Sequence, residues 1–503
     1  MVQLADYQAN NADNQVMFGG HTSVEELDNL NKALSAGDTT GRETTNLTSA
    51  SGAPLKVESL EKTLKVLTFS ENDVTIWKNI PKAAAFNTVE EYNQLVSYGA
   101  DRGGFNNEGE LPVEEDSVYT RRAQLVKFLG VTKSVTHPMQ LVNTHVGNIV
   151  DRAVKEGTMW ILQKLDRGLY DGDESMVPQE FNGLLTQHQK YDAFLTLTDY
   201  MNSGLVFDLR GSTSGLTEAA IENGSNAIAE NYGRGTQLYA PPRVISDFVK
   251  NFYGNKFIQP GTAALTDGVM GQKVKSFESQ FGNIGLNSDI FFNRKAPKKT
   301  GTPATSPNAP VAPTSPSTAV TSVSDALSMW ATGGLADNGN YFYGVTAINR
   351  YGESAMTPLT ISGANTAIAT SAGNSVDLQF TATASTFATT SYMIYRTAKN
   401  ASFGTDTLYY PLFKVSVAQL ASGYDGAAAT KVRDRDRYVG NTNKAFLAQW
   451  DTDVVEFKQL APLMKMDLAV TSPAYRFMIL LYGTPFLYNP RKFVTFINIQ
   501  DVA

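Results

Sequence analysis

Residues 457–500, FKQLAPLMKMDLAVTSPAYRFMILLYGTPFLYNPRKFVTFINIQ, restrict the possible folds more than any other stretch. Their apolar density is that of buried strands. Gly483 and Pro485 interrupt the densest run, 476–488, so it stops well short of the ~18 apolar residues of a membrane-spanning helix. Buried strands need partners in the same core, and the segment just upstream does not supply them. Residues 294–320, RKAPKKTGTPATSPNAPVAPTSPSTAV, concentrate six of the chain's 20 prolines and predict an extended linker. Behind it come short strands at sandwich spacing: 341–349, 376–380, 391–396 and 408–417. In YFYGVTAINRYGES (341–354), Tyr341, Tyr343, Val345 and Ala347 alternate with Phe342, Gly344, Thr346 and Ile348, giving one aromatic-aliphatic face and one mixed face before a Gly-Glu-Ser turn. Such a unit, of immunoglobulin or fibronectin type, closes its own core and ends near VRDRDRYVG (432–440). The partners of 457–500 therefore lie before the linker, and the sandwich is an insertion.

Upstream, residues 1–55 are polar and predict an arm, with one short helix at 24–37 between Ser23 and Gly37. Leu60, Leu64 and Leu67 fall at helical spacing within 56–85. Residues 88–135 show two strand-like flanks around a Gly-, Asn- and Glu-rich tip, a long two-stranded excursion. A lone hairpin is marginal in water, so this one needs another surface to lie on. The clearest helix is 144–170, where Val146, Ile149, Val150, Ala153, Gly157, Trp160, Ile161 and Leu165 make one stripe, capped by Asn143 or Thr144 and stopped by DGD at 171–173. A second amphipathic helix spans 216–232 with Thr217 as its cap, followed by a strand-turn at 236–249 and an α/β layer over roughly 180–295.

At 503 residues the chain should hold about three structural units. It has no cysteine, which excludes disulfides, zinc-thiolate sites and a cysteine nucleophile. The N-terminus lacks a basic region followed by an apolar run, so nothing points to secretion or to a membrane. A net charge of −7 argues against nucleic-acid binding as the main activity.

The search for chemistry finds no catalytic, cofactor or metal site. His21, His137, His145 and His188 show no metal-ligand spacing. Glu108, Glu110, Glu114, Glu115 and Asp116 could supply paired carboxylates, but they sit at the hairpin tip near Arg121 and Arg122, and read better as a solvated tip or as a contact with a neighbouring subunit. DGDES (171–175) lacks the rest of a calcium loop, and GRGT (233–236) and FGNIG (281–285) lack nucleotide-loop spacing. RDRDR (433–437) reads as a solvated strand edge, with Arg433 and Arg435 as candidate inter-subunit salt-bridge residues. Trp77, Trp160, Trp330 and Trp450 are dispersed and predict core positions. For so long a chain, the absence of a site favours a structural role.

The order of parts resembles that of tailed-phage major capsid proteins with the Hong Kong 97-like fold. LTFSENDVTIWKNIPKAAAFNTVEEYNQLVSYG (67–99), AENYGRGTQLYAPPRVISDFV (229–249) and the stretch 461–499 look similar to segments of such proteins from large contractile-tailed phages, and SYMIYRTAKN (391–400) with LYYPLFKVSV (408–417) resembles the paired strands of the immunoglobulin-like insertion some of them carry. The resemblance implies an α+β fold with an N-arm (1–55), an arm segment (56–85), an extended loop (86–136), a peripheral domain (137–179) with spine helix 143–171, an axial domain (180–295), the Pro-rich linker (296–320), the inserted sandwich (321–440) and return strands (441–503). It implies a non-enzymatic shell protein of the virion, assembled in the host cytoplasm into hexamers and pentamers around dsDNA, with scaffold, portal and decoration or vertex proteins as further partners. A mildly acidic wall would enclose DNA without adhering to it. The loop tip 99–116 has no lysine, so the lysine–asparagine crosslink of some relatives lacks its nucleophile. With Met1 first, the arm is expected to be uncleaved or short. The alternatives are a tail or baseplate protein with a glycan-binding sandwich, and a hydrolase with a carbohydrate-binding module. Weak glycan binding by the insertion is a further expectation.

Overall fold

The computed structural model describes residues 68–99, 105–111, 114–142, 147–191, 196–212, 215–255, 274–292, 297–330, 337–361, 363–470 and 472–502. The chain divides into two units, and nearly all that is described belongs to the one formed by Thr68–Leu141 and Ile149–Ala503. The expected arm 1–55, the helix at 24–37 and the leucine pattern at 60–67 lie outside the described residues.

Two sheets carry the fold outside the all-β region. The first has four strands in the order Lys82–Ala84, Val455–Asp467, Ala474–Leu487, Lys127–Thr136. The spine helix, Ile149–Asp171, lies against one face of it. Ile161 packs with Phe477 and Ile479, while Leu165, Leu169 and Tyr170 join Phe457 and Leu481 in the main core. The helix begins at Ile149 rather than 144; residues 143–146, with the expected cap, lie outside the described residues. Its end at Asp171 matches the DGD stop.

The second sheet has six strands in the order Val206–Asp208, Phe493–Ile499, Asn443–Ala448, Gln237–Ala240, Gly282–Ser288, Ser276–Ser279. The two strands from after the all-β region lie side by side between strands from before the Pro-rich stretch, so the apolar C-terminal residues find partners upstream. Glu218–Glu230 covers this sheet, its N-terminus capped by Thr217 Oγ1 accepting from Ala220 N at 3.3 Å. The expected strand-turn at 236–249 is a strand, Gln237–Ala240, followed at once by the helix Pro242–Asn255. Pro242 opens that helix at the position where the missing N–H costs nothing.

The predicted excursion is shorter than 88–135. Among the described residues, Val89–Ser97 pairs only with Val118–Leu125, while Lys127–Thr136 pairs with Ala474–Gly483 as an edge of the four-stranded sheet. The flank turns into the core at buried Val126, whose N–H donates to Thr88 O at 2.9 Å.

Residues 297–440, apart from one short helix at Val417–Ser422, form an all-β unit. A three-stranded sheet (Val320–Ser324, Asn374–Gln379, Lys431–Asp434) and a larger one around Tyr343–Asn349, Ser391–Thr397 and Leu408–Ser416 share a core of Trp330, Tyr343, Val345, Val376, Leu378 and Ile394. The mixed face of 341–349 is also covered: Phe342 packs with Met356, Met393, Tyr395 and Tyr409 in a second cluster. The Pro-rich stretch 296–320 is not a free linker. Lys298–Lys299 pairs with Leu408–Tyr409, Thr305 N donates to Glu353 O at 2.9 Å, and Thr314 and Thr381 exchange backbone hydrogen bonds at 2.9 Å. Prolines cannot donate, so the stretch lies along the unit's margin and bonds through its intervening Lys, Thr and Ala residues. Of the tryptophans, Trp330 is fully buried, Trp77 and Trp450 are partly buried, and Trp160 is substantially exposed.

Gly224 lies in Glu218–Glu230 against the six-stranded sheet, and a Cβ there would sit 2.7 Å from Phe496 Cζ. Alanine would add about 1 kcal/mol of helix propensity, but the buried ring stacks on Phe207 and has little room to move, and overpacking costs about 1–3 kcal/mol. Gly224→Ala is therefore expected to lower the urea unfolding midpoint of the unassembled chain. A raised midpoint would refute this packing.

Candidate functional site: a projecting hairpin and a buried ionic joint

Among the described residues, the hairpin Val89–Ser97/Val118–Leu125 is a two-stranded sheet with no third strand. Its base is anchored. Tyr92 packs edge-on against Phe486 and Tyr488 with ring centroids 5.6 and 4.9 Å away, Gln94 Nε2 donates to Tyr488 O, and Lys458 lies 3.2 Å from Glu90. Beyond the base the ribbon presents exposed apolar side chains: Tyr98, Phe105, Leu111, Val118 and Tyr119. Exposed apolar groups gathered on one narrow element mark an interaction surface.

Glu108, Glu110, Glu114, Glu115 and Asp116 are all exposed on this ribbon. Glu110 closes its own turn by accepting from Asn107 N at 3.2 Å and Asn107 Nδ2 at 3.0 Å. Arg121 reaches Glu91 across the strands at 3.3 Å, an exposed pair worth well under ~1 kcal/mol. Arg122 donates to Gln94 Oε1 at 2.7 Å and lies over the ring of Tyr191. No two of these carboxylates are held together in a buried cleft.

RDRDR is not a solvated edge. Arg433 forks onto Asp377 at 2.6 and 3.1 Å, Arg435 bonds Asp325 at 2.6 Å and Asp425 at 2.7 Å, and Arg437 bonds Asp425 at 2.8 Å. On the opposite side Asp434 and Asp436 bind Arg396 at 2.9 and 2.7 Å, and the guanidinium lies 4.7 Å from the ring centroid of Trp330 and 4.9 Å from that of Tyr341. Arg433 and Arg435 are thus mostly buried and satisfied within their own chain, which withdraws them as inter-subunit contacts. The alternation of sign runs from the end of strand Lys431–Asp434 into the bend that follows it, and meets complementary charge on both sides. The partners Asp325, Asp377, Arg396 and Asp425 stand apart in the sequence, so no local signal announced them.

Burial alone would raise Asp325, but hydrogen bonds from Arg435, Leu327 N and Ser375 hold its carboxyl below the ordinary range. Burial would likewise lower Arg396, and Asp436 and Asp434 hold it well above its usual value. Burial pushes Asp436 up despite Arg396 beside it.

This network joins the all-β unit to the six-stranded sheet. Arg210 donates to Asp436 O at 2.6 Å and Arg437 O at 3.2 Å, and Arg437 donates to Thr198 Oγ1 at 2.8 Å. Asn498, on the last strand, donates to Arg437 O and accepts from Val439 N, both at 2.9 Å. Beside the joint, a cleft of about 1360 Å³ opens between Lys190 and Asp199 on one wall and Lys414 and Lys444 on the other.

His188 is buried beside Thr495 and Tyr200, and burial pushes its pKa down to about 3, so it is neutral in the fold. Among the described residues, no group of three His, Cys, Asp or Glu side chains is placed to hold a metal.

The hairpin, the spine helix on a four-stranded sheet, the separate six-stranded sheet and the chain's return into both make an α+β fold. No protein-family model matches the chain. It is 24% identical over 489 residues, 95% of this chain and 97% of the other, to the protein described as a major capsid protein in Enterococcus phage phiEF24C. It is also 24% identical over 474 residues, 92% of this chain and 94% of the other, to the major capsid proteins of Staphylococcus phages S25-3 and K. Among solved structures, the capsid of a native GTA particle covers 90% of this chain at 7% identity and a TM-score of 0.43, and that of cyanophage P-SCSP1u covers 91% at 6% and 0.43. The chain is similar to these phage major capsid proteins along nearly its whole length.

Arg396 is 2% exposed between two aspartates. Arg396→Met keeps the volume but strands both charges, and removing one partner of a buried pair costs about 3–5 kcal/mol. The urea midpoint of Arg396→Met is expected to fall far more than that of Arg121→Ala, which should stay within about 0.5 kcal/mol of the parent. Equal effects would show that the network is solvated.

Proposed function

We propose that the chain assembles into hexamers and pentamers of an icosahedral head enclosing packaged phage dsDNA, without catalysing a reaction. The observation that carries this reading is the anchored hairpin, whose aromatic and aliphatic side chains are exposed among the described residues, a surface suited to being covered by a neighbouring chain. A second surface fits the same reading. The four-stranded sheet carries the spine helix on one face, and its other face presents Phe128, Met464 and Met466 to solvent. Strand pairing puts Met464 opposite Leu480 and Gly130, so these residues form one apolar strip.

In this reading the hairpin is the extended loop, the four-stranded sheet with its helix the peripheral domain, the six-stranded sheet the axial domain, and the all-β unit an immunoglobulin-like insertion. Glu108, Glu110, Glu114, Glu115, Asp116, Arg121 and Arg122 then meet charged groups of a neighbouring copy. Many modest contacts of this kind, closed by symmetry, add up to a stable shell. Scaffold, portal and decoration proteins are its further partners. For weak glycan binding by the insertion, the supporting feature is the exposed Tyr351, edge-on to Phe387 at 5.7 Å.

The combined variant Tyr98→Ser, Phe105→Ser, Leu111→Ser tests the reading. Its side chains contribute nothing to the core, so the unfolding midpoint of the unassembled chain should stay within about 0.5 kcal/mol of the parent. Light scattering under assembly conditions should show capsomers or shells for the parent and none for the variant. A variant that assembles as readily as the parent would sink the assignment of the hairpin.

A further inference from the structure

Among the described residues, two carboxylates outside the ionic joint have no cation. Asp166, on the spine helix, and Asp289, just after Gly282–Ser288, are both fully buried and are brought together by consecutive backbone N–H groups, Ile76 N donating to Asp289 and Trp77 N to Asp166. Their surroundings are asymmetric. Asp289 is saturated with donors: Oδ1 accepts from Phe291 N at 2.8 Å, and Oδ2 accepts from the Tyr170 hydroxyl at 2.8 Å and from Ile76 N at 3.4 Å. Asp166 Oδ1 accepts from Trp77 N at 3.1 Å, but its Oδ2 is buried with no donor. A buried carboxylate oxygen with no donor of its own, next to a second buried carboxylate, is satisfied by a proton placed between the two.

We propose that Asp166 and Asp289 share one proton, carried on Asp166 Oδ2, and that this proton fastens the junction of three elements: the segment Thr75–Ile80, the spine helix, and the end of strand Gly282–Ser288. The groups facing the pair are few. The spine helix contributes Tyr170, strand Gln237–Ala240 contributes Tyr239, whose hydroxyl accepts from Asn79, and Thr75–Ile80 contributes backbone N–H groups. The nearby cations are turned elsewhere: Arg167 toward the Phe291 ring, Lys82 over Trp77 and Lys78 toward Asn72. Among the described residues, no lysine or arginine pairs with either carboxylate. Burial and the charge of Asp289 push Asp166 up from 3.8 to about 9. The sign follows: the folded chain holds a proton that the unfolded chain releases. The stabilisation is fully present below pH 3.8 and is lost as pH rises through about 9. The junction is closed at neutral pH and loosens in alkali, when two adjacent charges must coexist in the core.

The experiment uses the full, unassembled chain, so its outcome does not depend on the capsid reading. In urea unfolding between about pH 5 and about pH 8, the shared proton makes the unfolding constant of the parent rise about tenfold per pH unit relative to Asp166→Asn, whose amide supplies the missing donor permanently. Asp289→Asn turns an NH2 toward N–H and O–H donors, and is expected to be much less stable than Asp166→Asn. Infrared spectra supply a second readout: a protonated-carboxyl C=O band at neutral pH in the parent, diminished in Asp166→Asn. Equal pH slopes for parent and Asp166→Asn, or an undiminished band in that variant, would overturn the proposal. If Asp166→Asn does not fold, the parent decides: the proposal stands if its protonated-carboxyl band fades as pH passes about 9, and falls if that band is absent at neutral pH.

Discussion

Everything in this chain depends on strand Gln237–Ala240 being held on both sides. On one flank it pairs in parallel with Gly282–Ser288, the last strand before the chain leaves for the all-β unit; on the other it pairs antiparallel with Asn443–Ala448, the first strand after the chain returns. The six-stranded sheet therefore forms only when residues some two hundred apart in sequence meet. The four-stranded sheet repeats the rule, because Val455–Asp467 joins Lys82–Ala84 in parallel and the adjacent hairpin strand joins Lys127–Thr136. Such long-range pairing pays loop-closure entropy before any burial rewards it, and the aromatic core of Tyr239, Phe446, Phe457 and Phe493 supplies the burial.

The ionic joint is a second solution to the same problem of distance. Burying arginines and aspartates together does not stabilise more than an apolar core of equal volume would. What it supplies is orientation. Each guanidinium is met by carboxylates, carbonyls or aromatic faces in directions that no other placement of the all-β unit would satisfy. The exposed hairpin follows the opposite rule. Its charges are solvated and its apolar groups are uncovered among the described residues.

Much of the fold was legible because its signals are periodic. The stripe from Ile149 to Leu165, the Thr217 cap and the alternation from Tyr341 to Asn349 all appear as elements within a few residues of their expected limits. Elements without a local signature were misread. Val126–Thr136 looks like the continuation of a ribbon, yet it is a sheet edge whose partner stands more than three hundred residues later. The Pro-rich stretch looks like a linker because proline removes donors, but a segment at a sheet margin needs only occasional ones. RDRDR was the instructive failure. Sign alternation describes both a wetted edge and a segment threaded between two charged layers, and only the distant aspartates and Arg396 distinguish them. The Asp166–Asp289 pair was equally hidden, since neither residue belongs to a motif.

The double flanking of Gln237–Ala240 also bears on how such a chain could have acquired its extra unit. Adjacent strands lie about 4.8 Å apart, so the strands on either side of the insertion are separated by about 10 Å, the width of a single strand between them. A connection of a few residues could close that gap with both sheets intact. The insertion thus occupies a position where a chain can gain, lose or exchange a whole module at a loop, and the requirement on any newcomer is that its own two ends lie close together.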